Sequence, residues 1–133
     1  MSRRAAIGLI ASLALVAGIA GCGGASPMRV VITIHYSHYD PDAITVPHGV
    51  PVTFVLVNTD PIGHEWIVGD AALHQRHRTG TEPVHNARPT EVSIPAMTTK
   101  ETTVVFDQPG TLQYICHLPG HEAYGMVGTL TIT

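Results

Sequence analysis

Short runs rich in β-branched residues, separated by glycine and proline, constrain the fold of this chain more than any other feature. Eight runs have this character: residues 29–36, 43–46, 51–58, 64–68, 91–94, 100–106, 111–116 and 126–133. Each has the length of a strand, and no long periodic helix accompanies them. At 133 residues, the chain has the length of one domain. The pattern predicts an all-β protein, a Greek-key β-sandwich of seven or eight strands.

The longest stretch without strand alternation lies at residues 69–89. We interpret it as a long loop with one helical turn near residues 71–77. Loops of this length inside a compact domain are usually functional or mobile. The stretch contains three of the nine histidines, His74, His77 and His85, and it is therefore a candidate for a function of its own.

The N-terminus has the features of an export signal. Arg3 and Arg4 precede an uncharged apolar run at residues 5–20, which is shorter than the ~20 apolar residues of a typical spanning helix. The run leads into Ala20, Gly21 and Cys22, a segment that resembles the lipobox of bacterial lipoproteins. We predict a signal peptide at residues 1–21, lipidation of Cys22, a tether at residues 22–27 and a folded domain at residues 28–133. An uncleaved anchor helix or ordinary cleavage is the alternative.

The charge balance is mildly acidic. Seven basic and ten acidic residues give a formal net charge of −3. Removal of residues 1–21 takes two arginines away, so five basic residues stand against ten acidic ones and the net charge becomes −5. Charged residues make up only 13% of the chain and aromatic residues 5%, with no basic stripe. This composition argues against nucleic-acid binding, and the acidic balance could steer a basic partner.

Potential metal ligands crowd into one segment near the C-terminus. Four residues separate Cys116 from His121, and four more separate His121 from Met126. Thiolate and thioether are soft ligands and imidazole is intermediate, so a Cys with two His and a distant Met selects copper for electron transfer. The second His has to come from elsewhere. His64 is the candidate, because it opens a strand run directly after a loop that contains proline and glycine.

The two segments resemble the cupredoxin family of blue, type 1 copper proteins, which includes plastocyanin and azurin. The resemblance rests on Asn58, which five residues separate from His64, and on a Cys, a Pro-Gly turn, a His and a Met in the family's order. Residues 44–54 also resemble the family's N-terminal hairpin. The resemblance implies that His64, Cys116, His121 and Met126 bind one copper ion and that Asn58 braces the loop before His64.

Two further expectations come from the same resemblance. His121 should be the more exposed of the two imidazole ligands and the point at which electrons enter and leave. Glu65 departs from the family pattern, because many cupredoxins carry an Asn after the first His that hydrogen-bonds across to the Cys loop. The contacts around the copper ligands are therefore expected to differ at this position.

The resemblance implies a membrane-tethered carrier that passes single electrons between redox proteins in the cell envelope. It would be lipid-anchored to the cell membrane, facing the periplasm or extracytoplasmic space, with its copper cycling between Cu(II) and Cu(I). We expect a monomer without catalytic residues rather than an enzyme. The alternative is an envelope copper-binding protein for sequestration, delivery or resistance, in which His74, His77 and His85 form an accessory copper site.

His117 and the second cysteine need separate interpretations. A His directly after the ligand Cys helps to bind the trinuclear cluster of multicopper oxidases, but this chain has no His-x-His pair with which to build that cluster. We therefore expect His117 to face solvent or to lie beside the copper ligands. Since Cys22 and Cys116 each have another role, we predict no disulfide between them.

Overall fold

The computed structural model describes residues 27–83 and 87–133. The predicted signal peptide, Cys22 and His85 lie outside these ranges. Within them, the chain forms nine strands and one helix: β1 Met28–His35, β2 His38–Asp40, β3 Ala43–Val46, β4 Pro51–Asn58, β5 His64–Gly69, α1 Ala71–Thr79, β6 Glu91–Ile94, β7 Thr99–Val105, β8 Gly110–Ile115 and β9 Val127–Ile132. No helix in the described ranges is long and apolar enough to cross a membrane.

The strands form two sheets, which confirms the predicted β-sandwich. One sheet has the order β2-β1-β4-β7 and the other β3-β9-β8-β5-β6. Two neighbouring pairs, β1 with β4 and β3 with β9, run parallel. Parallel neighbours cannot be joined by a tight hairpin, so the chain crosses between the sheets and brings distant segments together at the ends of the sandwich.

The predicted count of seven or eight strands is wrong by at least one, because β2 lies between the predicted strand runs at residues 29–36 and 43–46. This three-residue strand pairs antiparallel with β1. Its central residue, Tyr39, is buried, its hydroxyl donates to the carbonyl of Glu65, and its ring lies edge-on to Tyr114 at 5.1 Å between centroids. The contacts of Tyr39 therefore hold β2 as a strand, although the segment is too short to show an alternation of apolar and polar residues.

The core lies between the sheets and is built from alternate side chains of the strands. Val52, Phe54 and Leu56 of β4 are fully buried, as is Trp66 of β5. The Trp66 ring lies 4.7 Å from that of Phe54. Full burial of a large apolar side chain stabilises the fold by roughly 1.5–3 kcal/mol, so apolar packing accounts for the rigidity of the sandwich that carries the loops.

Helix α1 occupies nine residues of the predicted loop at residues 69–89, which was expected to contain only one helical turn. Asp70 caps the N-terminus by accepting from the Leu73 N–H at 2.8 Å, and Gly80 ends the helix with φ 68°. Asp is a common N-cap residue, and Gly is the usual residue where a helix ends in the left-handed conformation. The helix lies against β5 and β8, so it positions its side chains beside the C-terminal metal-ligand segment.

The two ends of the sandwich are distinct. Residue pairing places His35, Asn58 and Thr99 at one end, where the loop before His64 begins; we call it the ligand end. Met28 pairs with Val52 at the other end, which we call the tether end because the predicted tether leads into Met28. An eight-residue strand separates the two, a length of about 26 Å at ~3.3 Å per residue.

Candidate metal centre

The loop between β4 and β5 presents His64 and is held by Asn58. The Nδ2 of Asn58 donates to three carbonyl oxygens at 2.8–3.2 Å, those of Ile62, Ile94 and Pro95. Its Oδ1 accepts from the N–H of Asp60 at 2.9 Å. The buried Asn58 side chain thus ties this loop to the loop that follows β6, which is the bracing role expected of it.

The loop between β8 and β9 carries the other predicted ligands. The N–H of Cys116 donates to the carbonyl of Met126 at 3.2 Å, and the N–H of Met126 donates to the carbonyl of His121 at 3.1 Å. Gly120 and Gly125 have φ values of 85° and 95°, which glycine adopts without the steric cost that other residues have. The loop therefore folds back on itself and directs its ligands toward β5.

Three of the four predicted ligands converge at the ligand end. The Nδ1 atoms of His64 and His121 are 3.2 Å apart, and the Sγ of Cys116 is 3.3 Å from the His121 Nδ1. The donor atoms of these residues all lie within 4.8 Å of one another, and no other group of three His, Cys, Asp or Glu residues does so in the described ranges. His64 and Cys116 are buried whereas His121 is partly exposed, as expected. Met126 is fully buried beside them, and its role as axial ligand stays a prediction.

A buried carboxylate orients the His64 ring. The Nε2 of His64 lies 2.9 Å from Oδ2 of Asp60. A carboxylate only accepts, so Nε2 carries the proton and Nδ1 presents its lone pair to Cys116 and His121. Burial acts to raise the pKa of Asp60, but the N–H groups of Ser37 and Tyr36 and the His64 ring lower it overall. Asp60 is therefore an anion next to the site.

The cysteine sulfur is buried and accepts hydrogen bonds from the backbone. Burial raises the pKa of the Cys116 thiol, although the N–H groups of Leu118 and Glu65 oppose this. The Glu65 N–H donates to the Cys116 Sγ at 3.3 Å. Where the family's Asn was expected to cross to the Cys loop, the backbone of residue 65 makes the contact. A metal that binds here has to displace the thiol proton.

The sequence of this chain matches a known protein family. The family is that of the copper-binding proteins of plastocyanin/azurin type, and the match covers residues 27–133. The chain belongs to the plastocyanin/azurin family. The predicted cupredoxin resemblance is confirmed, and it extends over the whole described domain.

The cupredoxin has characterised relatives whose names refer to copper. It is 32% identical to the copper-resistant cuproprotein CopI of Rubrivivax gelatinosus, over 79% of this chain and 65% of that protein. It is 28% identical to the copper-resistant cuproprotein CopI of Pseudomonas aeruginosa, over 71% of this chain and 70% of that protein. The match thus spans a little under two thirds of the Rubrivivax relative.

The sandwich also resembles solved copper-protein structures. Dithionite-reduced auracyanin from the photosynthetic bacterium Roseiflexus castenholzii superposes with a TM-score of 0.67 at 22% identity, over 80% of this chain and 97% of that one. This likeness shows that the cupredoxin has the same fold.

Copper is the cofactor of this cupredoxin, and the residues present fit it. One soft sulfur and two imidazole nitrogens that converge, with only His121 partly exposed, are the donor set of a type 1 copper site. Copper supplies a centre that gains or loses one electron. The chain holds His64 in its binding tautomer through Asp60, donates an N–H to the sulfur from Glu65, and excludes water by burying both ligands.

A second group of histidines lies behind the Cys116 loop. His117 was expected to face solvent or to lie beside the copper ligands, but its side chain is only 5% exposed and points to the helix, where its Nε2 lies 2.9 Å from Nδ1 of His74. His74 is fully buried, and His77 stacks on His117 with ring centroids 5.1 Å apart. Burial lowers the pKa of His74 and lowers that of His117 to about 4.

The predicted accessory set of His74, His77 and His85 is therefore only partly brought together. His74 and His77 lie on α1, as their spacing indicated, and His117 joins them from the Cys116 loop. His85 lies outside the described residues. Sequence reasoning missed Asp60 and the His74–His117 pair. An acidic residue four positions before a predicted His ligand was the signal that could have identified Asp60.

Proposed function

We propose that this protein is a membrane-tethered type 1 copper protein that passes single electrons between redox proteins in the cell envelope. The observation that carries the proposal is the convergence of His64, Cys116 and His121. Two of these ligands are buried, and all three donor atoms lie within 4.8 Å of one another. A site whose ligands are held by the fold needs little rearrangement between Cu(II) and Cu(I), which is the property that electron transfer requires.

The bracing of the ligands supports the same function. Asn58 ties the His64 loop to the loop after β6, Asp60 holds the His64 ring, and backbone hydrogen bonds close the loop from Cys116 to Met126. These contacts resist changes in ligand geometry when the copper charge changes. A braced and buried site is also poorly suited to binding a substrate, so we propose that the protein is not an enzyme.

The surface at the ligand end supports electron exchange with a partner protein. Four exposed large apolar side chains lie on the loops of this end, which also carries the partly exposed His121: Tyr36, Ile62, Met97 and Tyr124. Their positions follow from the backbone. The N–H groups of Tyr36 and Met97 donate to Asp60, the carbonyl of Ile62 accepts from Asn58, and the N–H of Tyr124 lies 3.2 Å from the carbonyl of His121. An apolar exposed patch is typical of an interaction site.

The direction of β1 fits a tethered carrier. Met28 starts the domain at the tether end, so a lipid on Cys22 would hold the membrane on the side opposite His121. The ligand end would then face away from the membrane and remain accessible to partners. Localisation to the envelope and a monomeric state are parts of this proposal.

Copper titration and voltammetry of the full chain test the proposal. We expect one equivalent of copper to produce an intense thiolate-to-copper band, and reduction to be fast and reversible with copper retained against a Cu(I) chelator. Cys116→Ala should lose the band while the sandwich still folds. Cys22→Ser, which changes the thiol outside the site, should keep it. Irreversible reduction with release of copper to the chelator would contradict an electron carrier.

A second candidate function is copper tolerance, favoured by the names of the CopI relatives at 32% and 28% identity. A protein for delivery or sequestration would give up or exchange copper as part of its role, whereas a carrier must keep it. Deletion of the gene should sensitise cells to copper if this function holds, and the Cys116→Ala protein should fail to restore tolerance. Unchanged copper tolerance after deletion would remove this candidate.

A further inference from the structure

The imidazoles of His74 and His117 face each other across the boundary between α1 and the Cys116 loop. Their Nδ1 and Nε2 atoms are 2.9 Å apart, and both side chains are at least nine-tenths buried. The type 1 site has a similar feature, since the Nδ1 atoms of His64 and His121 are 3.2 Å apart. Two nitrogens bound to one metal at about 2.0–2.1 Å are separated by about 3 Å when the angle at the metal is near 90°.

The outer nitrogen of each ring faces a group that can only accept a hydrogen bond. The Nε2 of His74 lies 3.2 Å from the carbonyl oxygen of Gln113. The Nδ1 of His117 lies 3.6 Å from the Glu122 carboxylate, which Arg78 holds in place through hydrogen bonds from two of its nitrogens. A neutral imidazole has one N–H, and these partners favour placing it on the outer nitrogen.

The tautomers decide how the inner nitrogens interact, because an N–H on either of them gives an ordinary N–H···N hydrogen bond. With both outer nitrogens protonated, the inner nitrogens are two lone pairs directed at one another, which a metal ion or a proton between them stabilises. The same arrangement orients metal-bound histidines in proteins, where the second ring nitrogen donates to a carbonyl or carboxylate. The Gln113 carbonyl is placed to accept from His74 as Asp60 accepts from His64, and the Glu122 carboxylate lies near His117 at 3.6 Å.

One member of the pair, His117, lines two surface clefts, whereas His74 is fully buried and lines neither. A surface cleft of about 330 Å³ is lined by His77, His117, Glu65 and Glu82, among others. A second cleft of about 360 Å³, which also includes His77 and His117, is lined by Glu122. Carboxylates around the entrance favour the approach of a cation. The His77 ring borders the same clefts, and its Nδ1 lies 3.1 Å from the carbonyl of Leu73.

We propose that His74 and His117 form a second metal site, separate from the type 1 centre, that binds an imidazole-preferring transition-metal ion. Imidazole suits copper, zinc and nickel, and among divalent ions Cu(II) binds such a site most strongly. The proposed site has two protein ligands, one fewer than the converged set of the type 1 centre. It does not depend on the proposed electron-transfer function, because its ligands are different residues.

A titration with a second equivalent of metal tests this site. The full chain carries Cys22→Ser, so that no thiol other than Cys116 is present, and its type 1 site is first loaded with one copper. Added Cu(II) should then give a separate paramagnetic-resonance signal without thiolate character and with coupling to imidazole nitrogen. His74→Gln should weaken this second binding at least tenfold while the thiolate-to-copper band persists. His48→Gln, which removes an exposed histidine at the tether end, should leave it unchanged.

Because His74 is buried, a measurement on the unsubstituted pair is also required. With the type 1 copper reduced to Cu(I), Zn(II) is added and the imidazole nitrogens are followed by ¹⁵N NMR. We expect the signals of His74 Nδ1 and His117 Nε2 to shift, while their outer nitrogens stay protonated. His77→Gln in the same titration shows whether a third imidazole binds, which affects the affinity but not the assignment.

Three results would overturn the proposal. The second equivalent could bind His74→Gln as tightly as the parent protein. Zn(II) could shift only the exposed histidines, His35, His38 and His48. The inner nitrogens could share a proton and fail to respond to metal. The thiolate band is recorded separately throughout, so failure of the second site and failure of the type 1 site are distinguished.

Discussion

Single acceptor groups decide which nitrogen each buried histidine offers. Asp60 is the strongest case, because its carboxylate accepts from the N–H groups of Tyr36 and Ser37 at 2.7 and 2.8 Å and from His64 at 2.9 Å. It therefore links the turn after β1 to a ligand of the metal site. Its negative charge also lies close enough to favour Cu(II) over Cu(I).

Asp60→Asn should raise the reduction potential and weaken Cu(II) binding. The amide oxygen can still accept from His64, but the charge is lost, and Cu(II) loses more stabilisation than Cu(I). Replacing a group that orients a metal ligand typically costs about 10- to 100-fold in metal affinity. Voltammetry and Cu(II) competition measure both quantities. Asp107→Asn, at the tether end near Val105, is the matched control and should change neither. An unaltered potential in Asp60→Asn would mean that the carboxylate has no electrostatic role.

The copper ligands could be predicted because their intervals in the sequence match those of the family. Cys116, His121 and Met126 lie within one short segment, and Asn58 precedes His64 at the family's interval. The His74–His117 pair could not be predicted in this way, because it depends on how α1 lies against β8. No local rule relates a helix face to a residue 43 positions away. Asp60 was missed because its role comes from the fold of its loop.

At the scale of secondary structure, the elements that prediction missed lack an apolar repeat. The one buried residue of α1 is His74, so the helix shows no hydrophobic stripe even though Asp70 and Gly80 are standard caps. Strand β2 is three residues long. The remaining strands were recognised because β-branched runs of four to eight residues carry their own signal.

The pairing of β8 with β9 depends on the absence of a side chain at Gly128. Gly128 lies opposite Tyr114, and a Cβ placed there would overlap the Tyr114 ring. The ring cannot move away easily, because it is fully buried and its hydroxyl donates to the carbonyl of Pro41 at 2.8 Å. This contact thus joins the strands on either side of the ligand loop to the segment before β3.

Gly128→Ala should destabilise the protein by about 3 kcal/mol, at the upper end of the usual cost of overpacking a core. Denaturant unfolding of the copper-free protein measures the loss. Gly63→Ala is the control, since a Cβ there would meet only the Ile94 carbonyl oxygen at an ordinary 3.7 Å. If the two variants unfold at the same denaturant concentration, the Tyr114 ring has an alternative position and the close approach is not required.

At the scale of the whole molecule, the fold separates two surfaces. The ligand end carries the partly exposed His121 among apolar side chains, and the tether end carries the start of the domain. An electron carrier docks with each redox partner through the surface nearest its metal, which here is the ligand end. Two copies of the protein, one reduced and one oxidised, should therefore exchange electrons through their ligand ends.

Ile62→Lys should slow this self-exchange about tenfold, because a charge in a desolvated contact that raises the barrier by ~1.4 kcal/mol has that effect. Val105→Lys is the matched control. The two side chains are 48% and 47% exposed, and Val105 lies at the tether end. Both changes bring the acidic net charge one unit closer to zero, so any general reduction in repulsion is the same in each. NMR line widths in mixtures of Cu(I) and Cu(II) protein report the rate. The thiolate-to-copper band of Ile62→Lys should be unchanged, which ensures that any slowing arises from docking. Equal self-exchange rates in the two variants would show that the apolar ligand end is not where the two copies meet.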